Sequence, residues 1–165
     1  TTSEFFEVDY IQGCAFLLDK SELKDIGFFD ENIFMYYETM DLCKKARTAN
    51  KKIYVCEKIK FMHYGASSVN SKFSDQYSLN RSWHYNWSKF YYFKKNFGYF
   101  FAIKKIFPNF IRSIKKIIIC TIYNRKKEYS LYKTELSGIF ASISNKPSSY
   151  RPFETKRNKR ELFPS

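Results

Sequence analysis

Residues 1–70 set short β-prone runs around one helical repeat, and after Ser74 the pattern changes to long aromatic helices. Val8 to Ile11 and Cys14 to Leu18 are β-prone and broken by Gly13, which predicts an extended segment entering a buried strand, Cys-Ala-Phe-Leu-Leu. A short helix is expected next, with Ser21 as its cap, Leu23 and Ile26 as its inner face and Gly27 as a left-handed terminator. Phe28-Phe29-Asp30-Glu31 then turns the chain. From Glu38 to Ala49 the apolar positions Leu42, Ala46 and Ala49 fall at helical spacing. Lys44, Lys45 and Arg47 lie toward the C-terminal end of this helix, where its dipole favours cations, and Asn50 is expected to end it. Lys52–Cys56 and Lys60–Tyr64 read as short strands or extended pieces.

The later part predicts a helix over Asp75–Phe97, then Tyr99–Phe107 and Asn109–Tyr123 separated by Pro108, then Leu131–Ile143. From Lys146 onward the polar tail, with Pro147, Pro152 and Pro164, is expected to have little structure of its own. The resulting division is 1–73 mixed α and β, 74–144 aromatic and helical, and 145–165 tail.

Charge changes this picture by dividing it the same way. The chain carries +13 overall, yet residues 1–93 hold twelve Lys/Arg against twelve Asp/Glu. Residues 94–133 hold eleven Lys/Arg against the single acid Glu128. An apolar content of 44% over 165 residues suffices for a core and excludes disorder throughout. Cys14, Cys43, Cys56 and Cys120 are widely spaced with no C-x-x-C pair, the usage of a reducing, cytoplasmic setting. No charge-free apolar run reaches the roughly twenty residues a spanning helix needs. The opening Thr1-Thr2-Ser3-Glu4 has neither an initiator Met nor a signal pattern, so further sequence is expected before it.

Candidate chemistry concentrates in Glu38 and Asp41. Their i, i+3 spacing puts both carboxylates on one helix face, and Glu38 lies in the first turn, where the dipole favours the ionised form that a general base needs. The plainer alternative is a capping carboxylate and a solvent-facing aspartate. His63, before Gly65-Ala66-Ser67-Ser68, is a metal ligand or a surface histidine, and His84 lies in an aromatic helix as a packing residue. Phosphate-cradling glycine motifs, H-E-x-x-H and Asp-x-Asp are all missing.

Four strings occur in a telling order: Gly13-Cys14-Ala15-Phe16-Leu17-Leu18; Gly27-Phe28-Phe29-Asp30-Glu31; Phe34-Met35-Tyr36-Tyr37-Glu38-Thr39-Met40-Asp41-Leu42-Cys43; and His63-Tyr64-Gly65-Ala66-Ser67-Ser68. Together they resemble family 2 glycosyltransferases of the rhamnosyltransferase-like group over about residues 8–95. Trp83-His84-Tyr85, Ser88 to Lys95 and Ser149-Tyr150-Arg151-Pro152 add to the likeness. The resemblance implies an α/β fold, the C-terminal half of a GT-A nucleotide-sugar transferase followed by basic aromatic α-helices. It also implies inverting transfer of a sugar from a nucleotide-diphosphate donor to a glycan or lipid-linked acceptor hydroxyl, with Glu38 or Asp41 as base and Tyr36 and Tyr37 at the acceptor.

A divalent metal (Mg2+ or Mn2+) would be held by His63 and by an Asp-x-Asp in a preceding donor-binding half, without which the 165 residues alone are expected to be inactive. Where such enzymes usually carry the second of two paired acids, this chain has Thr39, whose hydroxyl is no base at neutral pH. That leaves Glu38, then Asp41, then loss of activity as readings in that order. The alternative to an enzyme is a non-catalytic remnant that binds membranes or partners.

The basic helices interleave Lys104, Lys105, Arg112, Lys115 and Lys116 with aromatic and aliphatic residues. That pattern suits an anionic membrane surface and a peripheral position on the inner face of the cell membrane. A solvated cationic face and nucleic-acid binding are the competing readings, the second without a supporting motif.

Overall fold

A computed structural model describes residues 4–63 and 73–152, and the chain divides into two compact units, Thr1–Ser67 and Ser68–Ser165. In the first unit, β1 (Phe5–Glu7) pairs antiparallel with β2 (Tyr54–Cys56), with Phe6 opposite Val55. Backbone bonds from Val8 N to Ile53 O (2.9 Å) and from Glu57 N to Glu4 O (3.2 Å) extend this ribbon by one residue at each end. Between the strands in sequence lies α1 (Glu38–Thr48), which buries Leu42, Cys43 and Ala46, while Leu23 and Ile33 of the preceding loops are buried too.

These elements overturn the expected α/β half-fold. Four helices and one two-stranded ribbon make the described chain mostly helical. Cys14–Leu18 is not a strand, and Leu17 is 96% exposed. The physical reason is that β propensity fits a residue to a pleated surface but supplies no neighbour, and among the described residues only β1 and β2 form a ladder. The helix expected after Ser21 is a run of turns instead. Asp19 accepts from both the backbone N–H (2.8 Å) and the hydroxyl (2.5 Å) of Ser21, so the cap belongs to Asp19, and Leu23 O receives Gly27 N (2.9 Å) with Gly27 at φ 72°.

The second unit packs three helices, α2 (Ser74–Phe97), α3 (Tyr99–Ile122) and α4 (Lys126–Ile143), each against the other two. Phe90, Ala102, Ile106 and Ile139 form its buried centre, bordered by Phe93, Ile103, Phe110, Leu136 and Ile143. Pro108 does not divide α3. The missing amide would have bonded to the carbonyl of Lys104, and both residues lie on the exposed side, where water can take that carbonyl.

Helices α1, α3 and α4 end alike, with Asn50, Asn124 and Asn145 in the left-handed region at φ 57°, 52° and 56°. In each, the residue after the asparagine donates back across the last turn: Lys51 to Ala46 O (2.9 Å), Arg125 to Cys120 O (2.8 Å) and Lys146 to Ala141 O (2.8 Å). Asparagine is the side-chain-bearing residue best suited to this geometry, so three local residues set three helix ends.

A polar layer crosses the bundle beside its apolar centre. Glu135 of α4 is buried and accepts from Ser82 Oγ (3.1 Å) of α2 and from Ser113 Oγ (2.6 Å) and Arg112 Nη2 (2.9 Å) of α3. Asn109 Nδ2 donates to Asn86 Oδ1 (2.8 Å), and Lys89 Nζ donates to Asn109 Oδ1 (3.0 Å). Burial, with Arg112 and Lys105 nearby, holds the Lys89 ammonium below its ordinary pKa. Because every partner of Glu135 has one geometry, the layer fixes the helix register. Glu135→Gln keeps an oxygen for Arg112 and Ser113, loses charge to a half-exposed guanidinium and turns an NH2 group toward Ser82, whose hydroxyl can rotate to accept, so denaturant unfolding should register a loss of about 1 kcal/mol. Glu135→Leu, which removes the acceptor of all three donors, should cost more; equal costs would contradict this account.

Candidate active site

The approach to α1 is unusual in its backbone. Tyr36 and Tyr37 both lie in the left-handed region, at φ 63° and 67°, and neither is glycine or asparagine. Each such residue costs on the order of 1–2 kcal/mol, and consecutive ones persist only where surrounding packing enforces them. Tyr37 is the N-cap of α1 yet its side chain makes no capping bond, and its carbonyl receives Asp41 N (2.8 Å). The strained pair therefore delivers Glu38 as the first helical residue.

Glu38 is partly buried, and its Oε2 is shielded from solvent with no hydrogen-bond partner among the described residues. A shielded carboxylate oxygen left without a donor is costly unless something offsets it, and the N-terminal end of the helix dipole does so in part, by roughly 0.3–1 kcal/mol. Gly13 closes the other side. A methyl added there would come within 2.6 Å of Thr39 Oγ1 and 3.8 Å of Glu38 Oε1, so the absence of a side chain lets this loop pass against the helix start.

The sequence ranks Glu38 ahead of Asp41, and burial separates them further. Asp41 is 0% exposed, so it is not the solvent-facing residue of the plainer reading. Thr39 is also buried, against Gly13. Of these three, Glu38 is the one that is partly exposed, and its Oε2, itself shielded, lacks a hydrogen-bond partner among the described residues. The cavity next to this segment, about 420 Å³, is lined mainly by apolar groups including Ile11, Phe16, Leu23, Thr39, Leu42 and Tyr54, with Glu38 outside the lining. Along α1 it borders Thr39, Leu42, Cys43 and Ala46.

His63 is exposed, and Tyr64–Ser68 lie outside the described residues. Among the described residues no three His, Cys, Asp or Glu side chains come together as a metal-holding group. His63 can supply at most one ligand to a set completed elsewhere. In the second unit, Lys104, Lys115 and Lys116 are exposed, Lys105 Nζ lies 5.2 Å from the Phe101 ring centre, and Arg112 pairs with Glu135.

Two strings noted in the sequence meet in the second unit. His84 is fully buried, with Nε2 hydrogen-bonded to the Tyr150 carbonyl (2.9 Å) and Nδ1 to Ser148 Oγ (2.9 Å), and with Arg151 Nη1 3.2 Å from Nε2. Trp83 stacks on Tyr150 at 5.5 Å, and Arg151 donates to the carbonyls of Ser148 and Tyr150. The residues just past Lys146, expected to lack structure, are thus held by α2 side chains more than fifty positions earlier in the chain. Burial lowers the His84 pKa, and the neighbouring Arg151 adds to the effect. The neutral ring is the folded form, so its contribution is complete above about pH 6.5 and is lost as pH falls through the lower folded value. Urea unfolding midpoints should drop between pH 7.5 and 5.5 by more in the native protein than in His84→Gln; parallel drops would refute the assignment.

No protein-family model and no solved structure matches the chain. Over 56 residues it is 34% identical to the low-salt glycan biosynthesis hexosyltransferase Agl10 of Haloferax volcanii, a match covering 34% of this chain and 18% of that protein. Among the described residues, no helix is long and apolar enough to cross a membrane.

Proposed function

We propose that this chain carries the acceptor-activating base of a glycosyl-transfer enzyme and that Glu38 is that base. The observation that carries the proposal is the shielded Oε2 at the start of α1, delivered by two left-handed tyrosines. Partial identity to a hexosyltransferase supports the reaction class. The likeness to family 2 glycosyltransferases in residues 8–95 supports a nucleotide-diphosphate sugar as donor.

In this reaction Glu38 takes the proton of an acceptor hydroxyl as that oxygen attacks the anomeric carbon of the donor hexose. The bond to the nucleotide diphosphate breaks, its electron pair leaving on the phosphate oxygen, and the anomeric configuration inverts. Tyr36 and Tyr37 hold the approach to Glu38, and buried Asp41 acts as a positioning residue one turn below it. The described residues do not complete a metal site, so no step is assigned to a metal here.

The natural gene product, given radiolabelled nucleotide-diphosphate hexoses and a glycan or lipid-linked acceptor pool, should release nucleoside diphosphate and form a product whose anomeric configuration is the opposite of the donor's. Retention of configuration, or donor turnover untouched by changes at Glu38, would overturn the reading.

A further inference from the structure

Helix α3 is apolar on two sides, and only one of them is used by the bundle. Ala102, Ile106, Ser113 and Cys120 mark the buried side. At 100° per residue, Phe100, Phe107, Ile118 and Ile122 fall within an arc of about 60° on the opposite side, and they are 87%, 55%, 55% and 71% exposed. The stripe runs for about 33 Å along the helix. Folding the bundle leaves each of these side chains more than half exposed, although they are the kind that cores normally take.

The charges around the stripe decide what it fits. Helix α3 contains five Lys/Arg and no Asp or Glu. Two of the five are committed inside the unit, Arg112 to Glu135 and Lys105 over the Phe93 and Phe101 rings. Lys104 and Lys115 lie at the edge of the stripe, on the same outward side, and both are exposed. An apolar strip edged by cations on a helix that is too charged to span a bilayer matches the polar and acyl layers of an anionic membrane surface.

We infer that the second unit docks on anionic lipid bilayers through this face of α3, with the helix axis parallel to the membrane, Phe100, Phe107, Ile118 and Ile122 in the headgroup and acyl boundary, and Lys104 and Lys115 on lipid phosphates. Aliphatic Ile118 and Ile122 cannot stack on bases, which favours a bilayer over single-stranded nucleic acid. The inference stands apart from the sugar-transfer reading and would survive its failure.

Vesicle flotation of the full chain tests it. Binding is expected to vesicles containing phosphatidylglycerol, to weaken with salt, and to be at least tenfold weaker on phosphatidylcholine alone. Lys104→Glu with Lys115→Glu, and separately Phe100→Ser with Ile122→Ser, should each reduce binding at least tenfold, whereas Lys133→Glu on α4 should change it little. These positions are exposed, so circular dichroism should remain native; should a double variant unfold, Phe100→Ser alone carries the test. In a complementary measurement, Phe100→Trp fluorescence should be quenched by brominated acyl chains. Equal affinity for neutral vesicles, salt-sensitive RNA binding that the same variants abolish, or self-association through this face with no vesicle binding would each overturn the inference.

Discussion

Glu38→Gln is expected to lower sugar transfer by the natural gene product by about 100- to 10,000-fold in kcat, the usual contribution of a positioned general base. The amide is nearly the same size and sits at the same helix start, so the fold and the strained tyrosines should persist and KM should change little. What is lost is the lone pair that receives the acceptor proton. A positioning role would behave differently, since a mispositioned acceptor raises KM and is partly rescued by Glu38→Asp. The decisive companion is Thr39→Asp. Because Thr39 is buried with its hydroxyl turned toward Gly13, a carboxylate at position 39 would crowd the Gly13 loop and give up the solvation it has in water. No gain, or a loss, is therefore expected from Thr39→Asp, and a large gain would move the base from Glu38 to position 39.

Gly138→Ala should destabilise the helical unit by about 2–3 kcal/mol, the upper part of the range for overpacked cores. In an isolated helix the same change would stabilise by about 1 kcal/mol. The reversal comes from α2: a Cβ at Gly138 would lie 2.5 Å from the Trp83 carbonyl oxygen and 3.2 Å from its carbon, and a backbone cannot rotate aside. To admit the methyl, α4 must move away from α2, which also disturbs Ile139 in the centre and Ser142, whose hydroxyl donates to Trp87 O (2.9 Å). Denaturant unfolding measures the effect, and a midpoint that is unchanged or raised would mean that the helices are further apart than described.

Much of the helical part was legible because its signals are local. The 3.6-residue spacing of Leu42 and Ala46 marked α1, the aromatic run marked α2, and Asn50 marked a helix end. Pro108 misled in the usual way, since sequence shows the lost amide but not whether the orphaned carbonyl faces water. Cys14–Leu18 misled for the converse reason: its composition is that of a strand, but pairing depends on a neighbour that no local pattern specifies.

At the site, Glu38 and Asp41 could be found from spacing and ranked in that order, but their burial could not be read. Which carboxylate keeps an oxygen without a hydrogen-bond partner depends on what packs around the helix start, including Gly13, twenty-five positions before Glu38 in the sequence. The left-handed Tyr36 and Tyr37 had no signal at all, since tyrosine is not a residue that favours that geometry. The joining of Trp83 and His84 to Ser148 and Tyr150 is likewise a contact between distant residues.

By itself, the sequence determined α1 with its asparagine end, α2, the concentration of positive charge after Lys94 and the acidic pair at α1, because each follows from neighbours within a few turns. Only the tertiary structure decided that the chain is mostly helical, that Asp41 is buried while Glu38 keeps a shielded, unengaged oxygen, and that α3 turns one apolar stripe inward and the other to solvent. Those outcomes are set by which surfaces meet, and burial is a property of the meeting and not of the residues alone.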